Sequence, residues 1–187
     1  MGILIDVYYF IGSLVCHQIS ERTIYLDNLP LPVCARDTGI YMGFFIAFVF
    51  CIAKGRLKSD KPPDFSISIV LVLMMIPMMI DGTSSYIGLR RTDNTVRLIT
   101  GLFFGMPIPI FLVPAANFKV FETNSNAVIK HWGELLILGI VSLLAAILTI
   151  YKIFSWFLIS SILIFSLIFI ISRVVYTILK VVKGNKR

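Results

Sequence analysis

Three stretches, residues 96–116, 133–151 and 154–179, each run for about 20 residues with one charged side chain, Arg97, Glu134 or Arg173. A run of that length crosses the roughly 30 Å of bilayer hydrocarbon as a helix. Three further apolar stretches, 3–15, 38–53 and 65–80, are shorter, and they extend into polar flanks. The remaining composition agrees. Apolar residues make up 58% of the 187-residue chain, charged residues only 14%, and the mean hydropathy is +0.92. A soluble domain carries about twice that share of charge. The expected fold is therefore an all-α, polytopic integral membrane helical bundle of about six segments, the first short and re-entrant or interfacial. It forms a single membrane domain over 1–187. Residues 1–116 bear the motifs, and 117–187 supply a cytoplasmic loop and a tight C-terminal helical hairpin turning near Lys152.

The formal charge of +7 would suggest nucleic acid in a soluble protein. In a membrane protein it reflects the bias of Lys and Arg toward the cytoplasm, so no nucleic-acid partner is expected. Eleven of the 17 Lys and Arg residues fall in the 54–64 connection, the 117–132 connection and the tail from Arg173. The other six are Arg22, Arg36, Arg90, Arg91, Arg97 and Lys152. The larger set belongs in the cytoplasm, which puts both termini inside a cell membrane and residues 16–37 and 81–97 together outside. Near the N-terminus, Asp6, the absence of a basic leader and the lack of a small-residue cleavage site argue for a retained segment.

Those two outer regions hold most of the reactive residue types. The first contains Cys16-His17-Gln18, Glu21-Arg22 and, over 32–43, PVCARDTGIYMG; the second contains Asp81-Gly82 and, over 88–101, GLRRTDNTVRLITG. Together these elements resemble a family of small bacterial and archaeal membrane proteins known only as a domain of unknown function. The resemblance covers about residues 8–110 and leaves out the final hairpin. The usual central motif there is Cys-Ala-Arg-Cys-Thr-Gly, and this chain has Asp37 at the second cysteine. The resemblance implies a membrane protein and directs attention to these residues, but it implies no activity.

The residues themselves admit several chemistries. Cys16, His17, Cys34, Asp37 and Asp81 are ligand types that suit zinc, and Cys34 and Asp37 share a face if a helix begins there. Cys16 and Cys34 could instead form a disulfide in an oxidising compartment. Asp37 argues against redox cycling through Cys-x-x-Cys. Cys34 as nucleophile, His17 as base and Asp81 as its orienting group would make a thiol hydrolase. Arg36, Arg90, Arg91, Arg97 and Asn94 form an anion-binding set, because guanidinium groups match phosphate and carboxylate oxygens in pairs. Asp93 or Asn94 suits the N-cap of the helix that follows. Their structural alternatives are apolar packing for the cysteines and lipid-phosphate anchoring for the arginines.

Gly39-x-x-x-Gly43 and Gly101-x-x-x-Gly105 read as close-packing surfaces. Pro77, Pro107, Pro109 and Pro114 read as breaks in their spans, and Cys51 as a packing residue. The leading functional expectation is a metal-dependent membrane enzyme acting on an anionic or lipid-linked substrate. The alternatives are a small anion or metal-ion transporter or channel, which a homo-oligomer would complete, and a non-catalytic scaffold held by a disulfide or metal.

Overall fold

In hydrocarbon every backbone N–H and C=O needs a partner within the chain, so uninterrupted apolar stretches become helices. The computed structural model describes residues 2–118 and 123–184; Lys119, Lys186 and Arg187 of the charge count lie outside them. The helices are α1 (Gly2–Ser13), α2 (Ala35–Ala53), α3 (Phe65–Tyr86), α4 (Asn94–Gly105), α5 (Pro107–Asn117), α6 (Trp132–Ile150) and α7 (Trp156–Gly184). Among the described residues five spans are long and apolar enough to cross a membrane: α2, α3, α4 with α5, α6, and α7 as far as Val175. α1 has 12 residues, about 18 Å of helix, and is the short first segment expected. The break between α4 and α5 sits where Pro107 takes the first position of α5, a place where its missing N–H costs little.

The distribution of side chains is that of a lipid-immersed bundle. Leu73, Ile76, Met79 and Ile80 of α3 and Leu136, Ile137, Ile140 and Leu144 of α6 are exposed apolar groups. Small and hydroxyl residues are buried between helices. Ser142 donates to Met106 Sδ at 3.7 Å, and Thr149 donates to the Ala145 carbonyl at 2.8 Å. Cys51 is fully buried among Ile67, Ile110 and Leu138.

The tightest contact is the crossing of α2 and α4. A Cβ at Gly39 would overlap the Leu98 carbonyl oxygen, and one at Gly43 would overlap that of Leu102. Reciprocally, a Cβ at Gly101 would strike the Arg36 carbonyl and one at Gly105 that of Ile40. Each helix thus presents its glycine pair to the backbone of the other. Association of helices in lipid relies on this packing, because burying apolar surface brings little gain there.

The connections sort to two ends. At one, Asn117 Nδ2 donates to the Leu57 and Ser59 carbonyls, the Val128 N–H to the Lys61 carbonyl, and Arg56 pairs with Glu134. At the other, residues 16–34 meet the α6–α7 turn at Trp156 and the start of α4 at Asn94. A short antiparallel ribbon, β1 (Tyr25–Leu26) with β2 (Leu29–Pro30), lies here, a small departure from the all-α expectation. Its turn residues Asp27 and Asn28 have φ of +49° and +61°, the geometry of a type I′ hairpin, which Asp and Asn tolerate. Trp156 clamps the ribbon: its backbone N–H donates to Asp27 Oδ2 at 2.7 Å and its indole N–H to the Pro30 carbonyl at 2.8 Å.

Gly39→Ala or Gly105→Ala is expected to destabilise the bundle by at least about 2 kcal/mol, because backbone must move. Gly139→Ala in α6, where a Cβ meets nothing within 4 Å, is expected to be neutral or to stabilise by up to about 1 kcal/mol. Denaturation in detergent micelles distinguishes the two cases.

Candidate functional site

The 16–18 segment leaves α1 and turns back toward the start of α2. Gln18, at φ +51°, holds it there by donating from Nε2 to the Tyr9 carbonyl at 2.7 Å and the Pro32 carbonyl at 2.9 Å. That fixes Cys16 beside Cys34, whose backbone N–H donates to Cys16 Sγ at 3.2 Å. Cys34 is the N-cap of α2 and Asp37 lies in its first turn, where a carboxylate suits the helix dipole. The Cys34 thiol donates to Asp37 Oδ2 at 3.0 Å. One ligand atom from each of Cys16, Cys34 and Asp37 lies within 4.8 Å of the others, and all three residues are half-buried. All three cysteines of the chain are free thiols.

The two thiols differ. Hydrogen bonding from Cys34, with help from the Gln18 and Cys34 backbone N–H groups, holds Cys16 below the usual thiol range against the opposing effect of burial. Cys34 is pushed up by its hydrogen bond with Cys16, by burial and by the Asp37 charge.

His17 and Asp81 do not join this group. His17 is exposed. Asp81 is 4% exposed and uses both oxygens elsewhere: Oδ2 accepts from Arg36 Nη2 at 2.5 Å and Oδ1 from the Thr92 hydroxyl at 2.7 Å. Arg36, expected to hold an anion, is instead tied to Asp81, so this pair joins α2 to α3 and to the connection after it. The three expected hydrolase residues, Cys34, His17 and Asp81, are thus not assembled around one another.

The other arginines do converge. Arg22, Arg90, Arg91 and Arg97 line an open cleft of about 660 Å³ together with Glu21, Ser85, Gly88 and Thr92. Arg22, Arg90 and Arg91 are exposed, whereas Arg97 is only 8% exposed. Asp93 caps α4 as expected, accepting from the Val96 N–H at 2.8 Å. Asn94 positions the cleft rather than lining it. Its Nδ2 donates to the Glu21 and Thr23 carbonyls at 3.2 Å, and its Oδ1 accepts from Arg97 Nη1 at 3.2 Å. Among the described residues the ion pairs within 4 Å are Arg36–Asp81 and Arg56–Glu134. None of the four cleft arginines has a carboxylate at that distance. Arg97 also lies within Coulombic range of Arg22, Arg36, Asp81 and Cys34, which makes the cleft and the Cys/Cys/Asp group neighbours.

Three residues gained roles that sequence reasoning missed. Gln18 was visible beside Cys16 and His17, but nothing local indicates that it bonds two distant carbonyls. Thr92 and Ser85 became visible only when α3 brought Asp81 and the cleft together.

A family model described as "Predicted membrane protein (DUF2085)" matches residues 16–111, which carry both the Cys/Cys/Asp group and the cleft. An uncharacterized protein of Methanocaldococcus jannaschii is 34% identical over 106 residues, 57% of this chain and 66% of that protein. An uncharacterized protein of Methanothermobacter thermautotrophicus is 34% identical over 98 residues, 51% of this chain and 82% of that one. No solved structure matches the chain.

Asp81→Ala leaves the Arg36 guanidinium unpaired and is expected to cost about 3 kcal/mol, whereas the apolar double variant Arg36→Met with Asp81→Leu recovers most of that loss. Equal destabilisation by the single and double variants, measured by denaturation in micelles, would count against a structural role for this pair. The chain belongs to the DUF2085 family of predicted membrane proteins.

Proposed function

We propose that this membrane protein binds a phosphate-bearing anion, presented at the membrane surface, in the cleft lined by Arg22, Arg90, Arg91 and Arg97. The observation that carries the reading is convergence of positive charge: four guanidinium groups share one cleft with a single acidic lining residue, Glu21, and among the described residues none of the four has a carboxylate within 4 Å. Like charges gathered in this way repel one another, and a bound anion relieves that repulsion. The arginine fork also makes paired hydrogen bonds to phosphate oxygens. Arg97 is the anchor, since it is buried and its orientation is held by Asn94.

Exposed Tyr86, Ile87 and Leu89 adjoin the cleft residues Ser85, Gly88 and Arg90 in sequence, and apolar groups there suit a ligand carrying an acyl or isoprenoid chain. The opposite end is also basic, with Lys54, Arg56, Lys58 and Lys130 around a hollow of about 360 Å³. There Arg56 is already paired with Glu134, and the other basic side chains are lysines, as expected of a cytoplasmic surface. The charge asymmetry supports a cell-membrane orientation with the cleft outside.

Enzyme and transporter share this binding step. A site closed toward the membrane interior, as an enzyme needs, is favoured because α2 and α4 touch backbone to backbone at Gly101, one turn deeper than Arg97. A mere scaffold gives no reason for four arginines to share one cleft.

In detergent, purified protein is expected to bind phosphatidic acid, inorganic phosphate or both; the lipid alone would identify a headgroup site and both would identify the phosphate itself. Arg91→Gln and Arg97→Gln are each expected to weaken binding by about ten- to hundredfold, the loss of one charge-assisted hydrogen bond. Lys54→Gln and Lys58→Gln at the other end should leave it unchanged. Binding insensitive to both arginine variants, or equally sensitive to the lysine variants, would overturn the reading.

A further inference from the structure

We propose that Cys16, Cys34 and Asp37 form a binding site for one thiophilic divalent cation, zinc by its ligand chemistry, with a fourth coordination position left for solvent. The inference does not depend on the anion reading, and its ligands are different side chains.

Two sulfurs and a carboxylate oxygen lie within 4.8 Å of one another. A tetrahedral zinc with bonds of about 2.3 Å to sulfur and about 2.0 Å to oxygen spaces its ligand atoms by roughly 3.5–3.8 Å. The side chains therefore need only small rotations to close on an ion. They are also held in place before any ion arrives. Cys34 and Asp37 stand on the first turn of one helix, joined by the thiol–carboxylate bond. Cys16 is fixed by the Cys34 N–H and by the two Gln18 bonds to Tyr9 and Pro32. A backbone N–H aimed at a sulfur favours its thiolate form, the form that binds metal.

Metal binding forms two metal–sulfur bonds and one metal–oxygen bond, and the thiol protons pass to water. Two thiolates and a carboxylate around a divalent ion leave one net negative charge. The guanidinium of Arg97, within Coulombic range of Cys34, and the N-terminus of α2 offset it. Three protein ligands with one open position is the pattern of zinc sites that bind a water or a ligand atom, whereas purely structural sites close with four. His17 is not among the three ligands, although its place next to Cys16 leaves it on the same short loop.

The competing arrangement is a disulfide between Cys16 and Cys34. It would leave Asp37 without the thiol it now accepts from, and it would remove the sulfur ligands. The two states are mutually exclusive and can be counted.

The test uses the full chain, purified in detergent under reducing conditions, stripped with a chelator and titrated with zinc and with cobalt. The expected result is about one ion per chain, with a cobalt–thiolate charge-transfer band that reports sulfur ligation. Cys34→Ser and Asp37→Ala are each expected to weaken zinc binding at least tenfold, a loss typical of perturbed metal sites. Asp37→Cys retains binding with a stronger charge-transfer band, and Cys51→Ala leaves both readouts unchanged. Melting curves identify any variant that fails to fold, and Asp37→Cys keeps the test decisive in that case. Absence of bound metal with three titratable thiols, loss of two thiols to a disulfide in protein purified without reductant and unable to take up zinc after reduction, or zinc binding unaffected by both Cys34→Ser and Asp37→Ala would each overturn the proposal.

Discussion

The contact between the backbones of α2 and α4 is the constraint on which the rest of the bundle depends. Lipid gives apolar helices little reason to prefer one another over acyl chains, so a specific crossing must come from surfaces that fit. Gly39 and Gly43 on one helix and Gly101 and Gly105 on the other supply that fit. Because Gly101 packs on the Arg36 carbonyl, the register of the crossing is set within a residue. It puts the first turn of α2, with Cys34 and Asp37, level with the first turn of α4, with Asn94 and Arg97. The placement of the candidate site is in this sense a by-product of the seam: once the glycines meet, both motifs stand side by side.

Charge at that end is divided between two tasks. Arg36 and Asp81 neutralise each other, and Thr92 satisfies the remaining oxygen of the buried carboxylate. A buried ion pair of this kind specifies an arrangement more than it stabilises one, and here it joins α3 to α2. Arg22, Arg90, Arg91 and Arg97 line an open polar cleft, and among the described residues none of them has a carboxylate within 4 Å. Arg97 bridges the two settings, being more buried than Arg36 and bonded to Asn94 at the edge of the cleft. The same residue type, on the first turns of two helices that meet at a glycine contact, thus forms an ion pair in one case and lines an open cleft in the other.

Much of this was legible in the sequence because it rests on local rules. Hydropathy located the spans, the paired glycines marked the seam, Asp93 was recognisable as a cap, and spacing put Asp37 on the face of Cys34. Long-range partnerships were not legible. Nothing near Arg36 distinguishes it from Arg97, and only the distance in space from α2 to Asp81 decides that one is paired and the other available. The span of α3 also read short, ending at residue 80, because Asp81, Thr83, Ser84 and Ser85 look like a helix end. They continue the helix to Tyr86, since Asp81 finds Arg36 inside the bundle and the Thr83 and Ser84 hydroxyls bond back to the Met79 and Asp81 carbonyls. The ribbon at Asp27-Asn28 had a signal, two adjacent residues tolerant of left-handed backbone, but its strands are too short to show alternation.

The central claim is that this end of the bundle, and not the more basic opposite end, holds the ligand. Amide hydrogen exchange on the protein in lipid nanodiscs, with and without phosphatidic acid, tests it most directly. The account predicts slowed exchange confined to residues 19–24 and 88–97. Protection at residues 54–61 and 126–131 instead, or no protection at either end, would contradict it.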